Sequence, residues 1–266
     1  MKKNAQTDTA NFVWTCNQAK PCPPAAVETP RFNCRYSFSP SDESWESGEN
    51  SQDYLAVGVR GNVCWFVLCD GVSLSYRGDF AAKYLGSRLF EWLGGTQELS
   101  RHAFDQVLTQ MVPDAAEETD RLKLPADMPA LLREVLEEKR RRGAETMYLC
   151  GRIELPEAGK SEGKVWLAWQ GDSRLRCWLS GRELVMDPAR FLTGERWSAK
   201  RGTIGGGPHF HQQPLAGDNR EYRLMVYSDG LKRLDHCETL SDIYRRIQAK
   251  LPLEDDASWL DISWIA

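Results

Sequence analysis

Apolar and polar residues alternate strictly along Phe32-Asn-Cys-Arg-Tyr-Ser-Phe-Ser39, with Phe32, Cys34, Tyr36 and Phe38 on one side and Asn33, Arg35, Ser37 and Ser39 on the other. A period of two predicts a half-buried first strand, ended by Pro40. Asn62-Val-Cys-Trp-Phe-Val-Leu-Cys-Asp-Gly-Val-Ser73 behaves differently, because Val63, Trp65 and Val67 and the intervening Cys64, Phe66 and Leu68 are all apolar. Such a run predicts a central strand covered on both faces. It closes abruptly on Asp70-Gly71. The preceding Tyr54-Leu-Ala-Val-Gly-Val59 predicts a strand joined to it through the Arg60-Gly-Asn62 turn as a hairpin. Strand character returns at Thr146-Met-Tyr-Leu-Cys-Gly-Arg-Ile153, at Val165-Trp-Leu-Ala-Trp169, and in a hairpin of residues 175–179 and 184–186 around Ser180-Gly181. Leu224-Met-Val-Tyr-Ser-Asp-Gly230 repeats the apolar strand that ends on Asp-Gly. Trp259-Leu-Asp-Ile-Ser-Trp-Ile265 predicts a last strand with Leu260, Ile262 and Trp264 on one face.

Helical spacing appears after Asp70, where Ala81, Tyr84, Leu85, Leu89 and Trp92 share a face before Gly94-Gly95. Further helices are expected near residues 97–111, 128–141 and 241–250, the first two separated by Pro113 and Pro125. Residues 1–30, with Pro21, Pro23, Pro24 and Pro30, predict a flexible arm ahead of a single domain over residues 31–266. Residues 41–50 predict a loop, and residues 187–220, with Gly202 and Gly205 to Gly207, predict an irregular segment that could cover a site.

A chain of 266 residues buries a core without disulfide staples. Its eight cysteines, several of them inside apolar runs, suit a reducing compartment, and Cys16 and Cys22 lack the spacing of a zinc site. The formal charge of −4 and the interspersed signs argue against a nucleic-acid surface. The basic run Lys139-Arg-Arg-Arg142 reads as a solvated helix end. No apolar leader and no run of membrane-spanning length is present, which predicts a cytoplasmic protein with no membrane partner.

Asp53, Asp70, Asp172, Asp229 and Asp255 all fall at the start or end of predicted strands. A single Asp-Gly makes a turn; several carboxylates gathered at strand ends would repel one another unless a cation joined them. Hard oxygen ligands suit Mg²⁺ or Mn²⁺ rather than Zn²⁺. No GxSxG, P-loop or dinucleotide fingerprint occurs.

Gln52-Asp53, Cys69-Asp-Gly-Val-Ser73 with Gly78-Asp-Phe-Ala-Ala82, Gly171-Asp-Ser-Arg174, Tyr227-Ser-Asp-Gly-Leu231 and Asp255-Asp-Ala-Ser258 resemble, in order, the signature blocks of the PP2C (PPM) metal-dependent protein serine/threonine phosphatases. The resemblance spans about residues 32–265 and is of the bacterial type. It implies an α+β fold, an α/β/β/α sandwich of two mostly antiparallel sheets flanked by helices. It also implies a core site of two Mn²⁺ or Mg²⁺ ions, with a third, weaker ion. Asp70 then resembles the carboxylate that bridges the metals, aided by the Gly71 carbonyl. Asp53, Asp229 and Asp255 resemble further ligands, and Asp172 resembles a ligand of the third ion. The implied reaction is attack of a metal-bridging hydroxide on phosphoserine or phosphothreonine, opposing a Ser/Thr kinase in signalling.

The chain departs from the family pattern in three places. Residues 46–50 lack the arginine that many members use for the substrate phosphate, leaving Arg35 or Arg77 as candidates; Val72 and Ser73-Leu74 replace the usual residues after Asp-Gly; and Ala144-Glu-Thr-Met147 is a loose match to Gly-Thr-Thr. The missing arginine keeps open a second reading, a PP2C-like domain that binds a phosphorylated partner without turning it over.

Overall fold

The computed structural model describes residues 11–124, 127–156, 162–184, 191–249 and 253–266. In chain order it contains β1 (Asn11–Thr15), β2 (Cys22–Glu28), β3 (Phe32–Ser39), α1 (Asp42–Ser47), β4 (Asp53–Arg60), β5 (Val63–Gly71), α2 (Gly78–Gly95), α3 (Arg101–Gln110), α4 (Val112–Arg121) and α5 (Ala130–Arg142). The second half contains β6 (Glu145–Glu154), β7 (Glu162–Gln170), β8 (Arg174–Leu179), β9 (Arg182–Leu184), β10 (Arg196–Ser198), β11 (Gly202–Ile204), β12 (His209–Ala216), β13 (Glu221–Tyr227), a 3₁₀ segment (Asp229–His236), α6 (Leu240–Gln248) and β14 (Ala257–Ile265).

Two antiparallel sheets result. One runs β1-β4-β5-β6 and continues both through β7 to β12 and through β10 to β11; the other runs β2-β3-β14-β13-β8-β9. The two-faced pattern of β5 is used as its composition demands. Cys64, Phe66 and Leu68 join the core between the sheets with Phe32, Cys34, Leu224 and Ile262. Trp65, Val67 and Cys69 face outward under α2 and α3, with Leu85, Leu89 and Phe104. On the far side Met225, Tyr227 and Trp259 pack beneath the 3₁₀ segment and α6. The layers are therefore helix, sheet, sheet, helix, the expected sandwich, in which every central strand buries both faces.

Local chemistry sets the turns. Gly61 adopts φ +60 between β4 and β5, and Ser180 and Gly181 both take positive φ between β8 and β9, the geometry that matches strand twist in tight hairpins. Residues 185–186 of the expected hairpin lie outside the described residues, as do residues 187–190 of the expected irregular segment and Lys250 of the last helix.

Four expectations are corrected. Residues 11–28 are not an arm: β1 pairs with β4 and β2 pairs with β3, each on a sheet edge, where prolines such as Pro23 and Pro24 cost no central ladder bonds. Residues 41–50 hold a short helix, capped when the Ser44 amide donates to the Ser41 hydroxyl and closed by Gly48 at φ +71. Pro113 does not end a helix but opens α4, where its missing N–H would have had no partner. Residues 191–220 are not irregular: β10, β11 and β12 extend the first sheet, β12 lying along β7 from His209 opposite Trp169 to Ala216 opposite Glu162. Among the described residues no helix is long and apolar enough to cross a membrane. All eight cysteines are free, and burial pushes the Cys16 thiol up to about 12.

Candidate functional site

The sheet ends bring four of the five predicted aspartates together, and the loop after β7 adds the fifth. Asp53 opens β4 directly opposite Asp70 near the end of β5. Asp229 follows β13, Asp255 precedes β14, and Asp172 lies between β7 and β8. Their mutual influence shows in their proton affinities. Burial raises the Asp70 carboxyl well above the usual range, and the charges of Asp53, Asp229, Asp255 and Asp172 raise it further. Asp53 is likewise raised well above normal, by burial first and then by Asp256 and Asp229. Burial and Asp172 raise Asp229, against the charges of Lys232 and Arg174. Burial and Asp229 also raise Asp255.

Backbone packing explains why glycine follows two of these aspartates. A Cβ on Gly71 would stand 2.5 Å from the Gly78 carbonyl carbon at the start of α2 and 2.8 Å from the Gln52 oxygen. That close approach fixes the exit of β5: the Gly71 amide donates to the Gln52 carbonyl at 3.0 Å, and the Thr146 hydroxyl donates to the Asp70 carbonyl at 2.8 Å. A Cβ on Gly230 would fall far inside contact distance of the Asp256 carbonyl oxygen. Here the requirement is for space rather than for positive φ.

The residue that sequence reasoning missed is Asp256. Buried beside Asp255, it accepts from the Ser41 amide at 2.7 Å and from the Gln52 amide at 2.6 Å, joining the start of α1 to the residue before Asp53. The Asp-Asp pair alone could not assign the roles. Their surroundings differ: the Asp256 carboxylate is taken up by backbone amides, while Asp255 lies beside Asp229.

The two arginine candidates do not share a location. Arg35 lies in the middle of β3, exposed and 4.8 Å from the centre of the Tyr244 ring on the outer face of the second sheet, away from the carboxylates. Arg77, at φ +54 ahead of α2, sits in a polar cleft of about 440 Å³ with Asn50, Gln52 and Ser75. Its guanidinium is already engaged by Asp79, from Nε at 2.8 Å and from a terminal nitrogen at 2.9 Å. The cations that act on the Asp229 carboxylate are Lys232 and Arg174. Arg174 donates to the Asp172 carbonyl and, at 3.0 Å, to Asp235, which also accepts from the Tyr227 hydroxyl at 2.9 Å. It thereby braces the loop that carries Asp172. His209 is paired with Glu195 at 2.6 Å and stacked on Trp169.

One oxygen of Asp53, Oδ2, is buried without a hydrogen-bond partner. Among the described residues no three acidic, histidine or cysteine side chains yet converge closely enough to hold an ion as they stand. The partnerless oxygen and the raised proton affinities nonetheless mark a place short of positive charge.

Two stacked antiparallel sheets with helices outside, and carboxylates collected where the strands end, constitute the PP2C-like fold of serine/threonine phosphatases. No protein-family model matches the sequence, and no curated protein matches it. The structure is similar to that of RsbX in complex with magnesium, with a TM-score of 0.57 and 11% identity over 91% of this chain and 100% of that one. It is similar to a serine-threonine phosphatase 2C from Toxoplasma gondii, with a TM-score of 0.54 and 12% identity over 97% of this chain and 100% of that one. A serine/threonine phosphatase from S. agalactiae gives a TM-score of 0.51 and 14% identity over 88% of this chain and 100% of that one. At such identities the likeness is one of fold.

Proposed function

We propose that the protein is a divalent-metal-dependent phosphoprotein phosphatase acting on phosphoserine or phosphothreonine, opposing a Ser/Thr kinase in signalling. The observation that carries this reading is the buried Asp53 carboxylate, with one oxygen unpartnered and Asp70 directly opposite. The donors fit such ions. They are all oxygen, rigidly based on strand ends and crowded with negative charge, which suits Mg²⁺ or Mn²⁺. Asp53, Asp70, the Gly71 carbonyl, Asp229 and Asp255 would hold two ions, and Asp172 would contribute to a third. When bound, such ions lower the pKa of water and neutralise phosphate charge.

The chain's own residues do the rest. The Thr146 and Gln52 bonds hold the end of β5 so that Asp70 cannot swing away with its loop. Asp256 fixes the start of β4 through Gln52. Lys232, beside Asp229 and Asp255, offers the substrate phosphate a cation that Arg35 is too distant to supply.

The engagement of Arg77 by Asp79 supports a second reading, a domain that binds phosphorylated partners without turnover. Hydrolysis of para-nitrophenyl phosphate and of a phosphothreonine peptide, with Mn²⁺, Mg²⁺ or EDTA, separates the two. Metal-dependent turnover that disappears in Asp70→Ala supports the phosphatase. Absence of turnover, with calorimetric metal binding retained, supports the binding domain.

A further inference from the structure

The basic run at the end of α5 would be no more than a solvated helix end if it stood alone, since cations at a helix C-terminus complement its dipole. It does not stand alone. Lys139 and Arg142 meet Arg196 and Arg201, which arrive from β10 and the turn after it, around a cleft of about 630 Å³. The same cleft is lined by Val72 and Ser75, the residues that follow Asp70-Gly71. Ser75 also lines the polar cleft of Arg77, so one loop separates the two cavities.

Among the described residues Glu145 is the only acidic one of this lining, and it is buried. Its carboxylate accepts from both Arg196 and Arg201, while its amide donates to the Ser75 hydroxyl at 3.1 Å. Glu145 therefore spaces two guanidiniums along one wall. Arg142 pairs with Glu138 at 3.1 Å outside the cleft, and no ion pair joins Lys139 among the described residues. With Glu145 between two arginines and Glu138 on Arg142, four cations face two carboxylates, which leaves the cavity positive in a chain whose net charge is −4. The Val72 amide donates to the Glu145 carbonyl at 2.9 Å, so this wall is tied directly to the strand that carries Asp70.

We propose that this cleft binds the anionic stretch of polypeptide beside the phosphorylated residue, selecting substrates that carry acidic or additional phosphorylated side chains there. The proposal rests on the phosphatase reading for the position of the reacting phosphate at the carboxylates; binding to the cleft itself does not. Rim charges of this kind act through complementarity and encounter, so the preference weakens as salt rises.

The test uses the full chain and three labelled phosphothreonine peptides that differ only in their flanks: glutamates, glutamines, or glutamines with a second phosphothreonine. Fluorescence anisotropy in the Asp70→Ala background measures binding without turnover, and kcat/KM is measured in the unsubstituted background. Both are repeated with Lys139→Ala and Arg142→Ala together. Because α5 buries no residue, this pair leaves the core intact, which circular dichroism checks. The expected result is a preference of about tenfold for either anionic peptide over the glutamine peptide at low salt, falling severalfold in the double variant. Preference for only the doubly phosphorylated peptide identifies phosphate as the anion and also supports the cleft. Equal binding of all three peptides, or a preference that survives the double substitution, overturns it. If no peptide is hydrolysed by the unsubstituted chain, the phosphatase reading fails, and the anisotropy series still decides the cleft.

Discussion

Asp53 and Asp70 stand directly opposite each other across β4 and β5, two carboxylates at one rung of an antiparallel ladder. Like charges so placed repel, and both groups hold their protons well above the normal range. The metal-free protein is therefore expected to become more stable as pH falls from about 7 to about 5. A folded-state pKa above the unfolded value of about 3.9 means that the native state binds more protons in this window, so unfolding free energy rises as pH drops. Melting temperatures in EDTA across this range check the sign. A melting temperature that falls steadily from neutral pH downward contradicts the arrangement.

Removing one member of the pair separates stability from function. Asp70→Asn relieves repulsion and is expected to leave the metal-free fold at least as stable, by up to about 1 kcal/mol, while abolishing hydrolysis and weakening metal binding. Thermal melts with and without Mn²⁺ provide the readout. The upward shift of melting temperature expected for the parent on adding Mn²⁺ should shrink or vanish in the variant.

Asp256→Ala acts in the opposite direction. It strips the acceptor from the Ser41 and Gln52 amides, each bonded to this buried carboxylate. Loss of about 2 to 4 kcal/mol is expected in denaturant titrations. Any fall in activity should follow from the displaced start of β4 and should be partly recovered at high metal concentration.

Gly230→Ala places a methyl group against the Asp256 carbonyl, where backbone cannot yield as a flexible side chain can. The expected cost is about 2 kcal/mol or more, seen as a lower denaturation midpoint. Gly181→Ala, at an open turn, tests the other limit. Nothing lies within 4 Å of its Cβ, so only the positive φ is strained and the cost is about 1 kcal/mol.

Asp172 lies in the turn between β7 and β8, which Arg174 braces through the Asp172 carbonyl. Asp172→Ala is expected to change the metal concentration needed for half-maximal turnover more than it changes the melting temperature. Identical metal titrations for variant and parent would remove Asp172 from the site.

The central strands were readable because burial on both faces leaves an uninterrupted apolar run, as in β5, and burial on one face leaves alternation, as in β3. The recurrence of Asp-Gly at the end of β5 and after β13 pointed to the candidate site because one such pair makes a turn, while several carboxylates gathered at strand ends repel unless a cation joins them. Elements whose stability comes from a neighbour's edge were hidden. β2, with Pro23 and Pro24, and β12, with Gln212, Gln213 and Pro214, have no pattern of their own and are strands because β3 and β7 present unpaired ladders to them. Asp256 was hidden as well, since its partners at Ser41 and Gln52 lie more than two hundred residues away in the chain.

The first strands have a further consequence. β1 and β2 are joined by a few residues, yet each closes the edge of a different sheet, β4 on one side and β3 on the other. An uncovered strand edge is a template for any passing chain. A molecule beginning at Phe32 would present two open ladders at once and would lose the Gln18 side chain that donates to the Ser51, Asp53 and Asp79 carbonyls, so self-association through the edges of its sheets would accompany a loosened start of β4.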